Sequence, residues 1–374
     1  MKLLKHSAIA HLPQPDLHGE NVREALEKIR FQFPLELWYK KEFVLPNCRP
    51  APLLMHASPD DEVPELQYWN LLREKLRQRV KFYPFDDLSE AGEIVVTPNH
   101  LRDYGLQEKR RALQAFNRDV VTSGKTLITF AIGQLIVEHL TFRDRGKVCI
   151  PSPLWLYDLK SQIQPLEKPK IPTLSFVGNV SYPGLLSASL GKIPLPLRIL
   201  NKIASHRDFE TQLSLRLRRT IARQVRQTTL RSIRQQQGLK MAIIERDRGF
   251  FSASEREKAA WKKEYIESLN QNAYHLCIRG DSNTCFQIYE ILSAGRIPVI
   301  IDTDIELPSL GTFGRWDEFS IRVPLTQLSH LGERVRAFHQ RLSDEAFKQT
   351  CAKARAAYEY LLPHNFIFSA LEKY

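Results

Sequence analysis

The sequence has no long apolar run. No stretch approaches the ~18 uninterrupted apolar residues of a membrane-crossing helix, so none is expected. The first twenty residues, MKLLKHSAIAHLPQPDLHGE, reach His6, His11 and Pro13 before a signal peptide's apolar core of ~7–15 residues could form. Cysteine is sparse: Cys48, Cys149, Cys277, Cys285 and Cys351 are odd in number and scattered, and no pair has CxxC spacing. Neither a disulfide framework nor a zinc site is indicated, and a reducing cytoplasm fits best. Internal repeats are also missing. What is present is ordinary core material, 43% hydrophobic with 10% aromatic, which excludes a disordered chain. At roughly 150 residues per domain, 374 residues imply about two domains. The balance of 54 Lys+Arg over 42 Asp+Glu gives +12, and so basic a chain should meet phosphate, nucleic acid or an anionic surface.

Short apolar runs alternate with amphipathic stretches in both halves. Pro52–His56, Val80–Tyr83, Glu93–Thr97 and Thr126–Ala131 read as buried strands, with helical patterns over 63–78 and 107–121. Residues 164–172, QPLEKPKIP, hold three prolines and read as a linker or crossover. A second series follows, with strands at Thr173–Val177, Met241–Ile244, Tyr274–Ile278 and Ile297–Ile301. Helices are expected over 209–237, 255–270, 284–294 and 326–342, and again at the C-terminus. Strand and helix in alternation predict α/β domains with largely parallel sheets, which bind ligands at the carboxyl ends of their strands. The domains are expected over 1–165 and 173–345, with 346–374 as helices that could pack back on the first.

Residues 274–308 combine the parts of an anion site. A strand ends in Arg279-Gly280-Asp281-Ser282-Asn283, and a helix is expected from about Thr284 with Asn283 or Ser282 as its N-cap. A cation, a glycine that admits close backbone approach and a helix N-terminus together favour a diphosphate. The same parts also build ordinary strand–loop–helix connections. Glu290, seven residues beyond Asn283, would lie on the same helix face about two turns on, where a carboxylate could accept from both hydroxyls of a ribose. The plainer reading is a surface glutamate, although Tyr289, Ile291 and Leu292 beside it are apolar. Gly295 should end the helix as its C′ residue.

This segment resembles the signature of the exostosin-like glycosyltransferases. The resemblance rests on Cys277-Ile278-Arg279-Gly280, Phe286-Gln287-Ile288-Tyr289-Glu290, Leu292-Ser293-Ala294-Gly295, Arg296-Ile297-Pro298-Val299 and Leu307-Pro308, with Trp316-Asp317-Glu318-Phe319 at a similar step. Leu174-Ser175-Phe176-Val177-Gly178 is similar to the first strand and turn of the family's donor domain, and Asp86-Asp87 with Ile94-Val95-Val96 is a weaker echo. The resemblance implies two Rossmann-like α/β domains facing a central cleft, the GT-B type. It implies a UDP- or GDP-sugar donor on the second domain and a polysaccharide or lipid-linked glycan acceptor on the first. It also implies transfer with inversion, without a protein-bound metal or a cofactor. By the same resemblance Glu290 corresponds to a ribose-binding glutamate and Arg279 to an arginine beside the diphosphate, with Asn283 and Thr284 at the helix N-terminus. Gln287 departs from a position where many members carry arginine, so another cation would be needed there.

Arg246 and Arg248, just past the strand Met241–Ile244, are candidates for that cation. The alternative is a loop, Glu245-Arg246-Asp247-Arg248, that neutralises its own charge. Inverting displacement needs a general base opposite the leaving group. Asp86, Asp87 and His100 follow first-half strands and are candidates, although Asp-Asp also serves as a helix cap and His100 as a turn residue. Asp302-Thr303-Asp304 has the spacing of a metal-binding DxD but falls inside the exostosin-like pattern, which places it at the sugar end of the cleft.

Residues 211–240 carry eight cations (Arg216, Arg218, Arg219, Arg223, Arg226, Arg231, Arg234 and Lys240) and no acid. Leu213, Leu217, Ile221 and Val225 recur every fourth residue, the pattern of an amphipathic basic helix. Three readings stand: a solvated or phosphate-facing surface, a contact with anionic lipid at the inner face of a membrane, or nucleic-acid binding. The segment has no aromatic residue to stack on bases, which counts against nucleic acid.

Overall fold

The computed structural model describes residues 35–40, 80–92, 94–97, 107–131, 147–151, 158–180, 212–250, 253–280, 285–303, 305–362 and 365–366. The strand expected at Pro52–His56, the helix over 63–78, and His100, Ser282, Asn283, Thr284 and Asp304 lie outside them.

Two five-stranded sheets form, and every strand pair in them is parallel. The first contains β1 (Leu35–Lys40), β2 (Val80–Phe85), β3 (Ile94–Thr97), β4 (Thr126–Ala131) and β5 (Lys147–Pro151), in the order β2-β1-β3-β4-β5. Helix α1 (Gln107–Thr122) places Phe116 and Val120 against Phe85, Val95 and Leu127. The second contains β6 (Thr173–Asn179), β7 (Lys240–Arg246), β8 (Tyr274–Cys277), β9 (Ile297–Asp302) and β10 (Ile321–Pro324), in the order β10-β9-β8-β6-β7. Its helices are α2 (Gln212–Arg234), α3 (Glu255–Gln271), α4 (Phe286–Ser293), α5 (Leu331–Gln340) and α6 (Asp344–Tyr360). The chain is therefore α/β in both halves, as the alternating pattern predicts.

In the second sheet the first strand to form the layer, β6, lies between β7 and β8. Strand order reverses there, and the crevice at the carboxyl ends of β6 and β8 is where such sheets bind ligands. Strands covered on both faces read as continuous apolar runs, which is why β6, β8 and β9 were visible in sequence. The apolar face of α2, with Ile221, Val225, Leu230 and Ile233, packs into one core with Leu174, Phe176, Leu276 and Val299. Helix α3 opens on a capping box, Ser254 and Glu257 each bonding the other's backbone. Helix α4 closes on Gly295 at φ +61°, where Arg296 N–H reaches Ile291 O (3.0 Å) and Gly295 N–H reaches Leu292 O (2.9 Å), a full Schellman motif.

One expectation changes. The helix over 326–342 is a 3₁₀ segment, Leu325–His330, followed by α5. Gln327 leaves helical geometry, and Leu328 O accepts from Ser232 Oγ (3.0 Å) and Gln236 Nε2 (2.9 Å) on the α2 side. The C-terminal helix α6 packs on α4, and its Arg355 forks onto Asp158 (2.5 and 2.9 Å) while also bonding Ser293 O. Leu159 N–H bonds Ser293 Oγ and Gln164 N–H bonds Asn270, so 158–164 already lie against the second sheet's helices. Among the described residues no helix is long and apolar enough to cross a membrane.

Candidate functional site

The site is built at the β6–β8 crevice. Past Cys277 the chain leaves the sheet through Ile278, Arg279 and Gly280. Arg279 is only 5% exposed, with Nε directed to Gly280 O at 3.4 Å. Gly178, the next-to-last residue of β6, faces Phe176: a Cβ there would lie 2.8 Å from the buried ring, so any larger residue would have to displace that ring. Gln287 in the first turn of α4 donates Nε2–H to Val177 O at 2.7 Å, tying that helix to β6 across the crevice.

Helix α4 begins later than expected. Its N-cap is Cys285, which makes no side-chain cap bond, and its first helical residue is Phe286, so the cap assigned to Ser282 or Asn283 is displaced. Cys285 is buried (6% exposed), and its thiol meets Gln287 and Cys277 rather than the helix amides. The cap position offers no side-chain acceptor to the first turn, where Ile288 N–H reaches Cys285 O at 3.2 Å.

Glu290 is not a surface glutamate; it is 9% exposed within α4. Burial pushes its carboxyl up to about 7, opposed by the Tyr265 hydroxyl and the Lys262 ammonium of α3. It therefore changes charge near neutrality while lying one helical turn from the start of α4.

Arg246 and Arg248 stand at the carboxyl end of β7, as expected, but neither neutralises its own loop. Arg246 pairs with Glu264 and stacks on Trp261 at 4.3 Å; Arg248 pairs with Glu257. Glu245 of the same loop pairs with Arg234 of α2. The residue that sequence reasoning passed over is Arg226, one of eight cations in the basic run. Its Nε bonds Arg279 O (3.0 Å), Nη2 bonds Ile278 O (3.5 Å) and Nη1 bonds Asn179 O. The signal available was its place beside Val225, an apolar-stripe residue that is fully buried.

Asp302 ends β9 and is engaged by Arg322, with Oδ2 at 2.8 Å from Nε and Oδ1 at 3.0 Å from Nη2; Oδ1 also accepts from Ile305 N–H. These bonds pin the loop after β9 beside a pocket of about 590 Å³, lined in part by Ile305, Trp316, Asp317 and Arg322. In the first unit, Asp86 and Asp87 follow β2. Asp87 caps the short 3₁₀ turn Leu88–Glu90, and its bonds from Ser89 Oγ (2.6 Å) and Ser89 N–H (2.8 Å) hold its carboxyl below the usual value. That pull makes it a weaker base. Asp86 is exposed beside it.

The family model described as the Exostosin GT47 domain matches residues 209–338, a span from α2 into α5 that contains the whole crevice except β6. No curated protein matches the chain in sequence. Among solved structures, TarM of S. aureus is 10% identical over 66% of this chain and 42% of its own, at a TM-score of 0.33. This chain thus aligns with about two-fifths of TarM. A glycosyltransferase from Rickettsia africae is 9% identical over 91% and 97% of the two chains (TM-score 0.36). A sucrose-phosphate synthase from Thermosynechococcus elongatus is 11% identical over 99% and 80% (TM-score 0.35). These structural likenesses are loose, and the fold rests on the two parallel sheets themselves. The likeness to the exostosin GT47 domain is thus confined to residues 209–338, the part of the chain that builds most of the second sheet and its crevice.

Proposed function

We propose that this chain transfers a sugar from a nucleoside-diphosphate donor, a UDP- or GDP-sugar, to a polysaccharide or lipid-linked glycan. Transfer proceeds with inversion and without a metal held by the protein. The observation that carries this reading is the buried Glu290 on α4, next to the Arg279–Gly280 exit of β8. A ribose donating two hydroxyls to Glu290 would direct its diphosphate toward the first turn of α4 and the cations around Arg279. Negative charge grows on the leaving diphosphate as the anomeric bond breaks, and fixed cations and helix amides stabilise it there without reorganising. Arg279, with Arg246 and Arg248 as further candidates, would supply that charge, and Ser282, Asn283 and Thr284 would line the phosphate loop. Asp302 is already forked by Arg322, which supports a role in holding the loop rather than a metal.

The acceptor would meet the first unit across the cleft, where a base removes the hydroxyl proton. Asp86 and His100 are better suited than Asp87, whose carboxylate serves its cap. A cytoplasmic place at the inner face of a membrane is consistent with a lipid-linked acceptor and with the basic helix α2. The rival is a non-enzymatic binder of nucleic acid or another anionic polymer. A nucleoside-diphosphate release assay over a panel of nucleotide sugars separates them. The enzyme reading expects release with one donor class, lost in Glu290→Ala. Steep salt-dependent duplex binding without any release would favour the rival.

A further inference from the structure

One guanidinium spans the point where strand order reverses in the second sheet. Arg226 takes carbonyls from two adjacent parallel strands: Asn179 at the end of β6, and Ile278 and Arg279 just past β8. Five N–H donors in a planar fork can serve three acceptors at once, which an ammonium on a flexible stem cannot do in one plane. Carbonyl oxygens gathered at the carboxyl ends of strands place partial negative charge where an anion is to bind. A guanidinium bonded to them cancels it and brings its own positive charge to that point of the crevice.

The guanidinium also lies against the glycine that opens the loop. A Cβ built on Gly280 would be 3.6 Å from Arg226 Nη2. Its charge is felt at the start of α4, where the Cys285 thiol is held below its ordinary value by its bond with Cys277 and, after that, by Arg226. Ile221, Val225 and Leu230 bury the same helix in the core, so Arg226 cannot swing away with a loop. Gln287, where a cation was missed, spends its amide on Val177 O in the same crevice.

We propose that Arg226 is a positioning residue for the nucleoside diphosphate: it ties β6 to β8, sets the Arg279–Gly280 turn in its receiving shape and keeps that turn electropositive. This rests on reading the crevice as a nucleotide-sugar site. One member of the basic run then faces inward to the substrate, whatever the outer arginines meet.

The test compares binding of UDP, GDP and uridine by calorimetry to the full chain, to Arg226→Lys and Arg226→Gln, and to Arg231→Lys, an exposed control on the same helix. UDP is expected to weaken by about tenfold or more in both Arg226 variants, because each unties the carbonyls that set the Arg279–Gly280 turn. Uridine should stay within about twofold, because it carries no phosphate, and Arg231→Lys should match the wild type. Equal weakening of UDP and uridine would make Arg226 a structural staple only and overturn the proposal. Unchanged UDP affinity would overturn it while leaving the crevice reading intact. A wild type that binds neither UDP nor GDP would remove the crevice reading itself, and the proposal with it. Should the variants fail to fold, hydrogen exchange on the wild type decides. UDP should slow the amides of Ile278, Arg279 and Gly280, and no change there refutes the assignment.

Discussion

The buried carboxyl of Glu290 couples stability to pH, and the coupling has a sign that can be measured. Burial raises its carboxyl from an ordinary 4.5 to about 7. Because the folded value exceeds the unfolded one, the fold binds the proton more tightly. The associated stability is complete below the unfolded value and is lost as pH rises through the folded value. With the carboxylate ionised, near pH 8, the ligand-free protein has given up about 3 kcal/mol. Glu290→Gln has nearly the same shape and no charge, so it removes that loss. The melting temperature of the variant should be close to wild type near pH 4.5. It should exceed wild type by on the order of 5–10 °C near pH 8, as expected for a unit of this size. Scanning calorimetry at constant ionic strength from about pH 4.5 to 9 provides the comparison. Affinity should move the other way. If Glu290 takes the ribose as proposed, the hydroxyls donate to its ionised form, and wild-type UDP binding should fall toward a limit of about tenfold per pH unit below 7. The variant should bind weakly and without that slope. A melting difference that is the same at both ends of the range would refute the reasoning, as would full UDP affinity of Glu290→Gln at pH 8.

Gly295→Ala places a side chain at φ +61° with Cys351 O 3.3 Å from the new carbon, and a urea midpoint lowered by about 1–2 kcal/mol of stability is expected. Arg355→Ala leaves the partly buried Asp158 carboxylate without its fork and should cost about 2–3 kcal/mol, with Arg355→Lys recovering part of it; equal losses in both would argue against fork geometry. Chelator should leave sugar transfer unchanged, and Asp302→Ala should reduce it only partly by freeing the Arg322-bound loop. Activity abolished by chelator and restored by a divalent cation would instead favour metal-dependent transfer.

What could be read in the sequence follows from burial. β4 matches its apolar run, Thr126–Ala131, end to end, and β6 to β9 appear where continuous apolar residues announced strands covered on both faces. Three strands were missed for opposite reasons. β10, IRVP, is a four-residue edge strand whose Arg322 faces solvent, so it alternates instead of running apolar. β5, KVCIP, is five residues bounded by Lys147 and Pro151. β1, LELWYK, carries Glu36 and Lys40 in a charged neighbourhood. At the site, the spacing from Arg279 to Glu290 was visible because it is local. The inward role of Arg226 was not, since its partners lie 47 to 53 residues away in the chain and seven neighbouring cations looked equivalent. The partners of Arg246 and Arg248 were hidden in the same way, on α3 rather than in their own loop.

Each end of the second sheet is gathered by one arginine. Arg296 enters β9 at the amino end, 3% exposed, and bonds Leu269 O and Gln164 O at 2.7 Å, fastening α3 and the proline-rich segment to the sheet. Arg226 does comparable work at the carboxyl end, about 20 Å away at the rise of a six-residue strand. Similar chemistry thus has two different reaches. Loss of Arg296 would loosen α3 and the proline-rich segment at the end of the sheet away from the crevice. Loss of Arg226 would release three carbonyls at the mouth of the crevice itself, so the same exchange for a neutral side chain changes the charge of that mouth as well as its shape.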